Sequence, residues 1–235
     1  MSPGARVGLL VAGLLSWALP ALGESPVRPA PARASRILRK SAHASLLSTR
    51  ERASLLAGDT VSRPMVFTRG DDQRYVGGVS YQVVRASPDE VLAALGTVKE
   101  LPEMLPRTRS ARLVDVSRGA ARIELTQGNQ LVETTYTVRL RRKGSSELRF
   151  ELDPSRPHGI RDVYGYMRVR SLGPGQTLVT VAVALDLGPG LARALFEDRI
   201  QKVILDTPRK IRDYLEPKVL SRREAQGRRG PEEKL

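Results

Sequence analysis

The middle of the chain alternates between apolar and polar residues, a pattern that is typical of β-strands. Within the segment 131–142, for example, Tyr136 and Val138 fall on one face, whereas Thr137 and Arg139 fall on the other. Strands with one apolar and one polar face predict an antiparallel sheet that is covered on one side and meets solvent on the other.

Seven segments have this strand character, and two short helices are predicted after the first of them. The first helix begins at Ser87 as N-cap, with Pro88 in its first position and Glu90 in its third, and runs to about Leu95. The second helix spans 98–104. The predicted strands span 76–85, 109–116, 120–127, 131–142, 146–152, 160–171 and 177–187.

A long helix is predicted after the last strand, and Glu216–Pro217 is expected to end it. Pro208 removes one backbone donor and predicts a kink near Ile204. The residues with apolar helical spacing are Leu191, Leu195, Ile200, Val203, Ile204, Thr207, Ile211, Tyr214 and Leu215.

This order of elements predicts an α+β helix-grip fold. Two short helices cannot cover seven strands, but a long C-terminal helix laid across a curved antiparallel sheet can. Because one helix does not fill a strongly bent sheet, we expect a cavity between the helix and the sheet.

The N-terminus predicts a secretory signal over residues 1–23. Arg6 precedes an apolar stretch from Val7 to Leu22, and Ala21-Leu22-Gly23 is a small-x-small cleavage site. The stretch is about 16 residues, short of the roughly 20 that a membrane span needs, although an uncleaved N-terminal anchor is the alternative. The excess of Arg over Lys and the Ala, Gly and Pro content indicate a GC-rich bacterial genome, so a periplasmic location is expected.

The rest of the chain divides into three parts. Residues 24–59 are a basic linker rich in Pro, Ala and Arg, with a short amphipathic helix expected within 37–57. Residues 60–216 form the folded domain, and residues 217–235 are expected to be a charged, disordered tail.

The formal net charge of +14 raises the question of a nucleic-acid partner. More than half of the positive excess lies in the two ends of the mature chain, and aromatic residues make up only 4%, too few for stacking on single strands. We therefore expect no nucleic-acid binding. The basic ends are suited to anionic lipid headgroups, and a simply solvated surface is the alternative.

Several kinds of catalytic and metal chemistry are excluded by composition. The chain has no cysteine and two histidines, so disulfides, thiol catalysis, Cys-ligated metals and all-histidine metal sites are ruled out. His158 falls in a turn, and Asp162 and Asp186 are expected on the outer face of the sheet. We therefore predict no catalytic residue, no metal site and no cofactor.

The segment Tyr81–Asp115 reads YQVVRASPDEVLAALGTVKELPEMLPRTRSARLVD. A strand, then ASPDEVLAAL, then ELPEMLPRT before the next strand resembles the START-like (SRPBCC) superfamily of polyketide cyclases and coenzyme Q-binding proteins. The resemblance extends over residues 75–216 and includes the long terminal helix. It implies an apolar cavity for a hydrophobic ligand, of the lipid or isoprenoid quinone class.

Inward positions of the predicted sheet and helix are the candidate ligand-binding residues, and ordinary core packing is the alternative for each. Gln127 and Tyr136 are the most informative, because a polar group on an apolar face needs a hydrogen-bond partner. That partner is a ligand, a trapped water or another side chain. The ten candidates are Met104, Leu105, Gln127, Tyr136, Phe150, Val163, Met167, Leu195, Phe196 and Ile204.

The sequence thus predicts an exported, non-enzymatic protein that binds a hydrophobic small molecule or lipid, with peripheral contact to an anionic membrane. One alternative is a cyclase or hydrolase that acts on a hydrophobic substrate and carries an acid–base residue in the cavity. The other is a periplasmic scaffold or assembly factor with a filled core and no pocket.

Overall fold

The computed structural model describes residues 47–70, 72–117, 119–128, 133–189 and 191–228. The predicted signal sequence, the linker up to residue 46 and the tail from residue 229 lie outside these residues. The strands are β1 (Val61–Arg69), β2 (Gln73–Val84), β3 (Thr108–Ser117), β4 (Ala120–Gly128), β5 (Glu133–Lys143), β6 (Glu147–Leu152), β7 (Asp162–Gly173) and β8 (Gln176–Asp186). The helices are α1 (Thr49–Leu56), α2 (Pro88–Gly96), α3 (Leu101–Met104), α4 (Leu191–Leu205) and α5 (Thr207–Arg228), and a 3-10 turn (Val98–Glu100) precedes α3.

The strands form one antiparallel sheet in the order β1-β2-β8-β7-β6-β5-β4-β3, which confirms the predicted helix-grip architecture. The described sheet has one strand more than the sequence indicated, because β1 was not predicted. Pro64 lies within β1 and weakens the strand signal. Proline is tolerated there because β1 is an edge strand, which need not supply a complete ladder of N–H donors.

The start of α2 follows the sequence prediction closely. Ser87 accepts a hydrogen bond from the Glu90 backbone N–H, and the Glu90 side chain accepts one from the Ser87 N–H. This reciprocal capping box satisfies two backbone donors that the helix itself leaves unpaired. A second capping box, between Ser48 and Glu51, begins α1, which lies inside the segment where a short basic helix was predicted.

The C-terminal helix differs from the prediction at its end. The expected kink is present as a break at Asp206 between α4 and α5. The prediction that Pro217 ends the helix is wrong, because α5 continues to Arg228, and residues 217–228 are therefore helical rather than disordered. Leu215 and Val219 are both buried in the core one helical turn apart, and this packing holds the helix together across the proline.

The C-terminal helices cover only one side of the concave face of the sheet. Both α4 and α5 pack against β2 and β8, whereas α3 packs against β3. The Gln201 amide fixes α4 to the sheet, because its nitrogen donates to the carbonyl oxygens of Met65 at 3.0 Å and Gly77 at 2.9 Å.

The outer face of the sheet is only partly exposed to solvent, which corrects the prediction that this whole face meets solvent. Tyr75, Tyr81, Tyr164 and Tyr166 lie on this face but are buried in a second apolar cluster, to which α1 contributes Leu55. The rings pack against the small side chains of β8 opposite them, so the polar-looking face becomes a second core.

Asp186 lies on the outer face of the sheet as predicted, opposite Asp162 on the neighbouring strand. It is fully buried, and its carboxylate accepts a hydrogen bond from the Gly188 N–H at 2.8 Å. Asp162 lies on the outer face as expected, where it accepts a hydrogen bond from the Tyr75 hydroxyl at 2.7 Å. Burial raises the pKa of Asp162. In the described part of the chain, no helix combines the length and the apolar character that a membrane crossing requires.

Gly77 is a position where the fold requires glycine. Its φ is +152°, and a Cβ there would lie 2.0 Å from the Val183 carbonyl oxygen. We predict that Gly77→Ala lowers the free energy of unfolding by at least about 2 kcal/mol, measured by urea denaturation. Gly96→Ala is the matched control, because a Cβ at Gly96 meets nothing within 4 Å, and it should leave stability unchanged or slightly higher. Equal effects of the two substitutions would contradict this account of the sheet.

Candidate functional site

A cavity lies between the concave face of the sheet and the helices. It contains about 840 Å³ of space between atoms, including the part that opens to solvent. The enclosed part of this space has room for several waters or a small apolar molecule. It is lined by Leu95, Leu101, Leu105, Pro106, Ile123, Leu125, Gln127, Tyr136, Val138, Leu140, Leu148, Phe150, Val163, Met167, Val181, Val183, Leu185, Ile204 and Thr207.

The strand alternation produces this wall. Every second residue of β4 to β8 points to the concave face, and nearly all of these positions are apolar. Gly165 shows how closely the wall is fitted, because a Cβ there would lie 2.6 Å from the Phe150 ring. The aromatic ring of Phe150 thus lies over a gap that a larger side chain on β7 would fill.

Seven of the ten residues predicted from the sequence line the cavity, and whether they bind a ligand stays a prediction. Met104 is fully buried in the core, and its neighbours Leu101 and Leu105 line the cavity instead. Leu195 and Phe196 lie in α4, but their side chains fall outside the described part of the structure. The seven lining residues are Leu105, Gln127, Tyr136, Phe150, Val163, Met167 and Ile204.

Sequence reasoning missed twelve lining residues. Most of them continue a strand alternation that was already recognised, as Ile123 and Leu125 do in β4. Thr207 was read as one more position of a continuous helix. It stands instead at the break between the two helices, where its hydroxyl donates to the Ile204 carbonyl at 2.6 Å.

The polar end of the cavity is formed by Gln127 and Tyr136, which are hydrogen-bonded to each other. The Tyr136 hydroxyl donates to the Gln127 Oε1. The Gln127 Nε2 donates in turn to the Thr108 Oγ1 at 2.8 Å and to the Pro106 carbonyl oxygen at 3.4 Å. Burial raises the pKa of the Tyr136 phenol, which therefore stays protonated at neutral pH. Of the partners that the sequence left open for these two residues, another side chain is the one observed.

The titratable residues singled out from the sequence do not reach this cavity. His158 is exposed in the turn after β6, with its Nδ1 2.7 Å from the Ile160 carbonyl oxygen. Asp162 and Asp186 belong to the outer side of the sheet. Among the described residues that line the cavity, none is a carboxylate, a histidine or a cation.

A buried ion cluster supports the cavity wall from the opposite side of the sheet. The carboxylate of Asp153 binds Arg139 of β5 and, at 2.8 Å, Arg122 of β4. Burial alone would raise the pKa of Asp153, but hydrogen bonds from Arg139 and Ser155 outweigh it, so the pKa is well below its usual range. The sequence did not predict this cluster, because both arginines alternate with apolar residues and look like ordinary solvated positions.

A family model described as polyketide cyclase / dehydrase and lipid transport matches residues 78–212, more than half of the chain. No curated protein matches the chain significantly.

Solved structures share the fold at low identity. A protein from Thermus thermophilus is 16% identical, covers 61% of this chain and 96% of its own, and has a TM-score of 0.52. The Zhui aromatase/cyclase from a Streptomyces species is 13% identical, and the match covers 71% of this chain and 99% of the Zhui chain with a TM-score of 0.52. A STAR-related lipid transfer protein from Xanthomonas axonopodis is 13% identical, and the match covers 65% of this chain and 98% of that protein's chain with a TM-score of 0.50.

Breaking the ion cluster should destabilise the wall. We predict that Asp153→Asn lowers the free energy of unfolding at pH 7 by about 3 kcal/mol, because Arg139 is left buried without a counter-charge. Since the pKa is lowered on folding, this contribution is present above the unfolded value of 3.8 and is lost as the pH falls below it. Urea denaturation at pH 7 and at lower pH measures the free energy of unfolding of the wild type and of Asp153→Asn. We expect the difference between these two free energies to become smaller as the pH is lowered.

Asp115→Asn is the matched control, because this carboxylate binds the same Arg122 at 3.0 Å but its side chain is 43% exposed. An exposed pair contributes about 0–1 kcal/mol, so stability should change little. If Asp153→Asn lowered the free energy of unfolding no more than Asp115→Asn does, the supporting role of the cluster would be contradicted.

Proposed function

Because the chain belongs to the polyketide cyclase / dehydrase and lipid transport family, we propose that it is a binding protein for a hydrophobic small molecule or lipid, without enzymatic activity. The ligand lies in the cavity between the concave face of the sheet and the helices. It is held by burial of its apolar surface, which contributes about 0.8 kcal/mol per CH₂ group before ordering costs.

The composition of the cavity wall is the observation that carries this proposal. Sixteen of the nineteen lining residues are apolar, and the exceptions are Gln127, Tyr136 and Thr207. Ligand pockets of this type combine a mainly apolar wall with a few polar groups that orient the ligand. A wall without charge favours a neutral ligand, because an ionised group would leave water without a partner.

The same wall favours binding over the cyclase alternative. Proton transfer requires a group whose pKa lies near the working pH. The described lining residues offer for this purpose only Tyr136, whose pKa is raised and whose proton is held by Gln127. The Zhui protein is named as an aromatase/cyclase, but a likeness at 13% identity shows the fold alone.

Export to a bacterial periplasm is part of the proposal and rests on the sequence of residues 1–23. Fractionation of expressing bacterial cells tests it. We expect the protein in the periplasmic fraction with an N-terminus at Glu24, and recovery of the intact chain in the cytoplasm would contradict export.

Filling the cavity should abolish ligand uptake. We predict that Met167→Trp reduces binding of the neutral fluorescent probe N-phenyl-1-naphthylamine at least tenfold, because the indole occupies the space that the probe needs. Fluorescence titration measures the affinity, and circular dichroism checks that the variant is folded.

Leu172→Trp is the matched control. Leu172 lies on the same strand but is 43% exposed, so the same substitution should leave probe binding unchanged. A folded Met167→Trp protein that binds the probe as tightly as the control would reject the placement of the ligand in this cavity.

A further inference from the structure

The direction of the hydrogen bonds at the polar end of the cavity determines which ligand group it accepts. Resting on the proposed function, we infer that the cavity is selective for a neutral ligand that carries a hydroxyl donor, and that it discriminates against the corresponding ketone. The acceptor for that hydroxyl is the phenol oxygen of Tyr136.

The Gln127 amide sets the direction of the chain of hydrogen bonds. Its nitrogen lies 3.4 Å from the carbonyl oxygen of Pro106, and its oxygen faces the Tyr136 hydroxyl. A backbone carbonyl is only ever an acceptor. Turning the amide over would place two acceptor oxygens 3.4 Å apart at Pro106, so the backbone favours this orientation.

Thr108 is the last side chain of this hydrogen-bond network, and it donates in the same direction. Its Oγ1 accepts from the Gln127 Nε2 at 2.8 Å, and its own hydroxyl points to the Pro106 carbonyl at 3.5 Å. The amide oxygen of Gln127 therefore requires the proton of Tyr136, since a carbonyl oxygen cannot donate. The donors run from the tyrosine through the amide and the threonine to a backbone acceptor.

The cavity is left with acceptor capacity and without a free hydroxyl donor among its described lining residues. The Tyr136 proton is directed to Gln127, and the Thr207 proton is directed to the Ile204 carbonyl. Each oxygen keeps a lone pair. A ligand hydroxyl can donate to the Tyr136 oxygen without disturbing this network, whereas a ligand carbonyl finds a donor only if Tyr136 gives up Gln127 and leaves a buried acceptor unpaired.

A matched pair of ligands tests the inference. 2-Dodecanol and 2-dodecanone have the same carbon skeleton and no charge, and differ in the donor. By displacement of N-phenyl-1-naphthylamine from the full-length protein, we expect the alcohol to bind about three- to tenfold more tightly than the ketone, the contribution of one neutral hydrogen bond.

The double variant Tyr136→Phe/Gln127→Leu removes the phenol oxygen together with the amide oxygen that Tyr136→Phe alone would leave free to accept, and it should bring the alcohol-to-ketone ratio to about one. Tyr166→Phe is the matched control, because Tyr166 is buried in the apolar cluster on the opposite face of the sheet, and it should keep the wild-type ratio. Circular dichroism checks that the double variant is folded, which is expected because removing both partners leaves no buried acceptor unpaired.

The outcomes separate this inference from the proposed function. Binding of both ligands with equal affinity, tighter binding of the ketone, or a preference that survives the double substitution Tyr136→Phe/Gln127→Leu would overturn the inference while leaving the cavity as a ligand site. Failure of the alcohol, the ketone and the fluorescent probe to bind would overturn the proposed function and this inference together.

Discussion

The structure depends on a mismatch between a wide, curved sheet and the helices available to cover it. Among the described elements, the C-terminal helices pack on β2 and β8, α3 packs on β3 and α2 packs on β7, so the concave face of β4 to β6 has little direct cover from a helix. Apolar side chains that are neither packed nor hydrated are unfavourable, and a hydrophobic ligand relieves this by occupying the space. The cavity is thus a consequence of the architecture rather than of a specialised loop.

The two faces of the sheet contribute differently to the structure: one forms the cavity wall and the other holds the strands in place. The concave face supplies an apolar wall with a single hydrogen-bonded polar end at Gln127 and Tyr136. The convex face supplies rigidity, through a tyrosine cluster on one half and the Asp153–Arg139 ion pair on the other. Because these contacts lie behind the wall, they hold the strands in place without filling the cavity.

Much of this arrangement could be predicted from the sequence, because strand alternation and the Ser87–Glu90 helix start are local signals. The sequence did not predict what depends on distant partners. Pro64 lies in an edge strand that is stabilised by its pairing with β2, Asp186 is buried on a face that was expected to meet solvent, and Pro217 ends a helix only when no core contact continues it. The partner of Tyr136 also could not be chosen, because a ligand, a water and an amide satisfy a phenol equally well.

The placement of a ligand against the concave wall is tested most directly by methionine-methyl NMR. The chain has four methionines, and Met167 lines the cavity, whereas Met65 lies on the edge strand β1. On titration with 2-dodecanol, we predict that the Met167 methyl resonance shifts and saturates at one equivalent while the Met65 resonance stays unchanged. Binding that leaves the Met167 resonance in place would contradict the account.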